Sequence, residues 1–147
     1  MTDARPVWVL NGPNLGRLGS REPEVYGRLD LTEITARCLA WGGELGMTVS
    51  VRQTDDEAEL VGWLHAAVDA GIAVVLNPAA FTHYSYSLRD AAAQLRGIAP
   101  LIEVHLSNPA AREQFRHTSV VAGVATGTIA GFGVRSYQLA LQALSSL

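Results

Sequence analysis

The chain has 147 residues, 48% of them hydrophobic and 17% charged, with a formal net charge of −3. That size fits one domain, residues 1–147, with a sizeable core, and the negative balance argues against a nucleic-acid partner. A lone cysteine, Cys38, excludes an internal disulfide and fits a reducing, cytoplasmic setting.

Only four apolar residues, Val7 to Leu10, follow Arg5 and Pro6, so a first buried strand is expected there rather than a signal peptide. Asn11 to Gly27 then holds four glycines and two prolines, which rule out a regular helix or strand. A loop this long is usually a lid or binding loop. It carries Asn11, Asn14, Arg17, Arg21, Glu22 and Tyr26. Beyond it, Leu31, Ile34, Cys38, Trp41 and Leu45 repeat at helical spacing, opened by Asp30 and Glu33 as a capping box and ended by Gly46. Cys38 lies on the apolar face and reads as a core thiol. Thr48 to Gln53 alternates as a second strand. Glu57 to Ala70 is a second helix with Leu60, Leu64, Ala67 and Val68 inward, and Gly71 beyond its end. His65 borders that face and reads as structural or as an interface residue.

Ile72 to Leu76 is a third strand, continuous in apolar residues as doubly covered strands are. Asn77 to Tyr84 is a loop, Ser85 to Leu95 a third helix and Leu101 to Val104 a fourth strand. Pro109 to Arg116 is a loop with a helical turn. The longest uncharged stretch, Ser119 to Val134, is too short and too glycine-interrupted to span a bilayer, so no membrane partner is expected. It includes a fifth strand, Val124 to Ala130, and Val134 to Leu147 closes the chain as a helix with Val134, Tyr137, Leu141 and Leu144 on one side. This alternation predicts an α/β domain, a doubly wound parallel sheet of five strands with right-handed crossovers and helices on both faces.

In such a sheet the residues just after each strand share one edge, where ligands bind. Strand one brings Asn11 and Asn14; strand three brings Asn77, with His83 a few residues on. Strand four brings Glu103 and His105, then Ser107 and Asn108. Arg112 and Arg116, one helical turn apart, can face the same cleft. All 11 basic residues are arginine. The absence of lysine removes Schiff-base chemistry, PLP attachment and a Walker A loop. Arginine binds carboxylates in a fixed fork, which suggests an anionic small molecule.

No pair among His83, His105, His117 and Glu103 has zinc spacing. Gly131-Phe-Gly133 is a fragment of a dinucleotide fingerprint without its third glycine or a following strand, and no GxSxG elbow occurs. What remains is acid–base chemistry without a cofactor. Tyr26, near Arg17, Arg21 and Arg28, can be held as tyrosinate; ionising it at neutral pH takes roughly 4 kcal/mol from positive neighbours. Tyrosinate suits a carbon acid beside a carbonyl, a histidine opposite can protonate a leaving hydroxyl, and amide dipoles can stabilise the enolate between.

The blocks Asn11-Gly-Pro-Asn14-Leu, Arg21-Glu-Pro-Glu-Val-Tyr26-Gly, Asn77-Pro with Thr82-His83, Leu88-Arg-Asp90, Glu103-Val-His105-Leu-Ser107-Asn108 and Arg112-Glu-Gln-Phe-Arg116 occur in one order over nearly the whole chain. In these the chain resembles the type II 3-dehydroquinate dehydratases. The resemblance implies a flavodoxin-like fold, a homododecamer built from four trimers, no cofactor or metal, and trans loss of water from 3-dehydroquinate to give 3-dehydroshikimate. It implies Tyr26 as proton acceptor, Arg21 as its pKa-lowering and transition-state partner, and His105 as proton donor oriented by Glu103. Asn14 would steady the enolate through a water. Asn77, His83, Leu106, Ser107 and Arg116 would hold substrate, Arg112 would support loop or substrate, and Asp90 would reach a neighbouring subunit's site. The missing lysine agrees, since the unrelated type I enzymes use a lysine imine. The chain departs from the family pattern at Tyr84, Tyr86, Pro109, Ala110 and Ser136, none of them a candidate catalytic group. The same reaction in quinate breakdown, a different enzyme of the same fold, and a non-catalytic flavodoxin-like module binding a small anion are the alternatives.

Overall fold

The computed structural model describes residues 3–19 and 29–147. Five parallel strands stand in the order β2-β1-β3-β4-β5: β1 Arg5–Asn11, β2 Met47–Gln53, β3 Ala73–Asn77, β4 Leu101–His105 and β5 Gly127–Ala130. Four α-helices flank them among the described residues: α1 Leu31–Glu44, α2 Glu57–Ala70, α3 Tyr86–Ala93 and α4 Arg135–Ser145. The chain adds β2 on one side of β1 and then β3, β4 and β5 on the other, so the strand order switches between β1 and β3 while all strands stay parallel, as in flavodoxin-like folds.

Side-chain alternation along the strands divides the core in two. Val7 and Val9 of β1, Val75 of β3 and Ile102 and Val104 of β4 pack against Ile34 and Cys38 of α1 and Tyr137, Leu141 and Leu144 of α4. Leu10, Val74, Leu76 and Leu101 point the other way, onto Leu60 and Leu64 of α2 and Leu88 and Leu95 around α3. Three of the four helices begin at a side-chain cap. Asp30 accepts from the Glu33 amide at 2.9 Å, Asp56 from Ala58 at 2.9 Å, and Ser85 from Leu88 at 3.1 Å. α2 ends on Gly71, whose left-handed φ of 67° suits glycine.

The expected strand Val124 to Ala130 is shorter than its sequence suggests. Ala122–Val124 forms a 3-10 turn that tucks Val124 into the core, and pairing to β4 begins only at Gly127. The expected loop after β3 is a 3-10 turn, Ala79–His83, and the third helix stops at Ala93. The single helical turn expected in Pro109 to Arg116 is two 3-10 turns, Pro109–Ala111 and Gln114–His117, separated by an extended Arg112.

Candidate active site

The carboxyl ends of β1, β3 and β4 open into one cleft. It is lined by Asn14, Asn77, His83, His105, Leu106, Ser107, Arg112 and Arg116, with Pro13, Leu15, Ala79, Ala80 and Pro109 between them. The closeness of β1 and β3 at this edge depends on Gly12. Its amide donates to the Asn77 carbonyl at 2.8 Å, and a Cβ there would sit 2.6 Å from the Pro78 carbonyl oxygen. The loop after β1 is held from β2: Gln53 Nε2 donates to the Gly12 carbonyl at 3.1 Å, and Asp55 accepts from the Asn14 amide at 2.8 Å. Asn14 takes a left-handed φ of 68°, which asparagine tolerates.

Under the cleft lies a polar cluster inside the apolar layer. Asn11 and Asn77 are register partners on β1 and β3 and face α4. The Tyr137 hydroxyl donates to Asn11 Oδ1 at 2.6 Å and accepts from Asn77 Nδ2 at 3.0 Å. Asn11 Nδ2 continues to the Arg52 carbonyl at 3.1 Å, and Asn77 Oδ1 accepts from the Ala79 amide at 3.2 Å. Three strand ends and the turn beyond β3 are thereby tied to one phenol. Burial pushes the Tyr137 phenol well above its ordinary range, so it stays a neutral hydrogen-bonding post.

Glu103 and His105 stand two residues apart on β4 and so share one face of the sheet. His105 Nε2 and Glu103 Oε2 are 2.6 Å apart, with Glu103 only 1% exposed and His105 8%. A nitrogen so close to a buried carboxylate oxygen is held as its donor, leaving Nδ1 as the ring's other nitrogen. The carboxylate orients the ring. Ser119 Oγ approaches the other side of Glu103, 2.9 Å from Oε1 and 3.1 Å from Oε2.

His83 differs. Its Nδ1 donates to the Thr118 carbonyl at 2.8 Å. Burial holds the ring below the usual histidine range; the Thr118 bond opposes this, and the charges of Arg116 and His105 add to it. The cleft therefore pairs a carboxylate-backed imidazole with one kept neutral, whose Nε2 is an acceptor. Arg112, extended between the two 3-10 turns, and Arg116, within the second, do not share one helix, and both are mostly covered. Glu113 is 3.0 Å from Arg116 Nε, and that hydrogen bond holds the Glu113 carboxyl below its ordinary range.

Such a site can bind an anion between guanidiniums and amides and supply an oriented proton donor. Among the described residues no group of three or more His, Cys, Asp or Glu is placed to hold a metal ion, and no helix is long and apolar enough to cross a membrane. Asp90 is exposed on α3, where Arg89 donates to it at 2.8 Å, away from this cleft. Arg21 and Tyr26 lie outside the described residues, as do Glu22 and Arg28. Sequence reasoning missed Thr118, Ser119 and the hydroxyl of Tyr137. No periodicity marks Thr118 or Ser119, and Tyr137 falls on an apolar helix face where the ring alone explains it.

The model of the family described as dehydroquinase class II matches residues 5–145. The 3-dehydroquinate dehydratase of Salinispora tropica is 61% identical over 140 residues, which cover 95% of this chain and 96% of the relative. That of Halalkalibacterium halodurans is 49% identical over 138 residues, 94% of each chain. The type II dehydroquinase structure from Propionibacterium acnes superposes with a TM-score of 0.95 at 52% identity, covering 100% of both chains. The type II dehydroquinase structure from Butyrivibrio crossotus gives 0.92 at 36% identity, covering 95% of this chain and 97% of that one.

Proposed function

The chain belongs to the dehydroquinase class II family, and from that premise we propose that it is a hydro-lyase removing water from 3-dehydroquinate to give 3-dehydroshikimate, by trans elimination through an enolate. Tyr26, as a tyrosinate favoured by the charge of Arg21, takes the proton from the carbon next to the ketone. The electron pair enters the enolate, which Asn14 steadies through a water. The enolate then collapses, the carbon–oxygen bond breaks, and His105 gives the departing hydroxyl its proton, so that water leaves and the enone remains. Glu103 orients His105 and balances its charge. Arg112, Arg116, His83, Asn77 and the Leu106–Ser107 turn hold the substrate's carboxylate and hydroxyls, and Asp90 serves the site of a neighbouring subunit. The working form is a dodecamer of four trimers in the cytoplasm, with each chain a single catalytic domain and no cofactor.

The observation that carries the reading is the 2.6 Å contact of His105 with a buried carboxylate in a cleft also lined by two arginines. Mixing the protein with 3-dehydroquinate and following the ultraviolet absorbance of the conjugated enone tests it. Tyr26→Phe should abolish turnover with assembly intact. His105→Ala should lose about a hundredfold or more in kcat, the range of general acid catalysis. No absorbance change with the parent protein, or near-normal turnover by His105→Ala, rejects the reading.

A further inference from the structure

Glu103 is a carboxylate with 1% exposure, and a buried polar side chain needs hydrogen-bond partners on its oxygens. His105 supplies one. The other comes from Ser119, and its geometry fixes the direction of that bond. Ser119 Oγ already accepts two backbone N–H groups, from Val121 at 3.2 Å and Ala122 at 3.0 Å. Its two acceptor positions are thus filled, and its single proton is left for Glu103. The segment itself is anchored, because Val120 donates to the Thr82 carbonyl at 2.8 Å and Val121 is fully buried. The preceding residue, Thr118, accepts from His83 at 2.8 Å.

We infer that Ser119 is a positioning residue of this site: a donor of fixed polarity that holds the Glu103 carboxylate aligned, so that His105 is presented to the leaving hydroxyl. The inference rests on the reading of His105 as the acid. The same hydroxyl also caps the 3-10 turn Ala122–Val124. A purely capping serine would influence stability without acting through Glu103, and this separates the two roles.

The test is steady-state turnover of 3-dehydroquinate by the full chain carrying Ser119→Ala, Glu103→Gln or both, with Ser119→Cys as a near-isosteric variant whose thiol is a weak donor. Ser119→Ala should lower kcat about tenfold, the scale of one charge-assisted hydrogen bond felt through a neighbour, with KM changed by less than about threefold. Ser119→Cys should lower kcat at least about fivefold while unfolding at nearly the parental urea concentration. In the Glu103→Gln background, adding Ser119→Ala should change kcat by less than about twofold, because the two residues act as one unit. Parental kcat in Ser119→Cys, or an equal loss with and without Glu103, overturns the inference. Those results leave the assigned reaction standing as long as His105→Ala is inactive. An active His105→Ala removes both.

Discussion

Tyr137→Phe isolates the polar cluster beneath the cleft, because it deletes one oxygen and leaves the buried ring in place. Asn11 is 0% exposed and Asn77 3% exposed, so neither amide can turn to water. The substitution removes the 2.6 Å bond to Asn11 Oδ1 and the 3.0 Å bond from Asn77 Nδ2. Leaving a buried donor or acceptor unmatched costs about 1–3 kcal/mol each, so two give roughly 2–6 kcal/mol. Against this, the phenol oxygen no longer has to be desolvated, and the two amides can shift toward one another, which brings the expected loss to about 2–4 kcal/mol. Urea unfolding followed through Trp8, Trp41 and Trp63 fluorescence measures it, with an unchanged m-value expected because the exposed area is the same. Turnover should fall too, since Asn77 Oδ1 orders the turn that carries Ala79 and Ala80 along the cleft. Tyr84→Phe, at an exposed hydroxyl, is the control and should stay within about 0.5 kcal/mol of the parent. A Tyr137→Phe loss no larger than that of the control would show that the amides find other partners, and the argument from unmatched groups would fail.

Burial pushes the Cys38 thiol up to about 12, so the native protein should resist a thiol-specific disulfide reagent at neutral pH and react fully once unfolded; stoichiometric labelling of the native state within minutes would contradict its place in the core. His83 is held below its ordinary value of 6.5 in the folded chain. The unfolded state therefore binds more protons just below about pH 6.5, and the stability His83 contributes is complete above that value and lost as the pH falls through the window beneath it. His83→Asn should flatten the fall of the urea midpoint just below about pH 6.5, and an unaltered slope there would refute the assignment. Gly12→Ala would drive a methyl to 2.6 Å from the Pro78 carbonyl oxygen; a loss of roughly 1–3 kcal/mol is expected, with lower kcat/KM, since the wedge lies between two walls of the cleft.

Much of the fold could be read from local chemistry. The helix Glu57–Ala70 forms with the bounds that its apolar spacing and Gly71 indicate, and Asp30 caps α1 through the Glu33 amide. Ends decided by partners were harder to read. Ala73 rather than Ile72 opens β3, beyond the left-handed Gly71, and Val124 leaves its expected strand because the core takes its side chain. At the site, Glu103 and His105 were legible as neighbours at the end of strand four, while their shared face follows from β4 running on through His105. Asn11 and Asn77 were legible as neighbours, but not as a pair whose amides turn inward, since that depends on a phenol from α4. Ser119 offered no signal, because what matters is where its hydroxyl lies after the chain has crossed from β4 toward β5. Arg112 and Arg116 reach the same cleft by a different backbone path from the helical turn their spacing suggests.

The tie between Asn11 and Tyr137 spans 126 residues of chain. On the ribosome, β1 emerges long before the segment that satisfies it, and the other helix on that face, α1, contributes apolar side chains to the layer. A nascent chain halted short of Tyr137 would carry two bare amides into an oily layer, or keep that layer open. Assembly of the catalytic pocket is thus coupled to late synthesis, and a prematurely terminated product would be marked for proteolysis by the instability of its own unfinished floor.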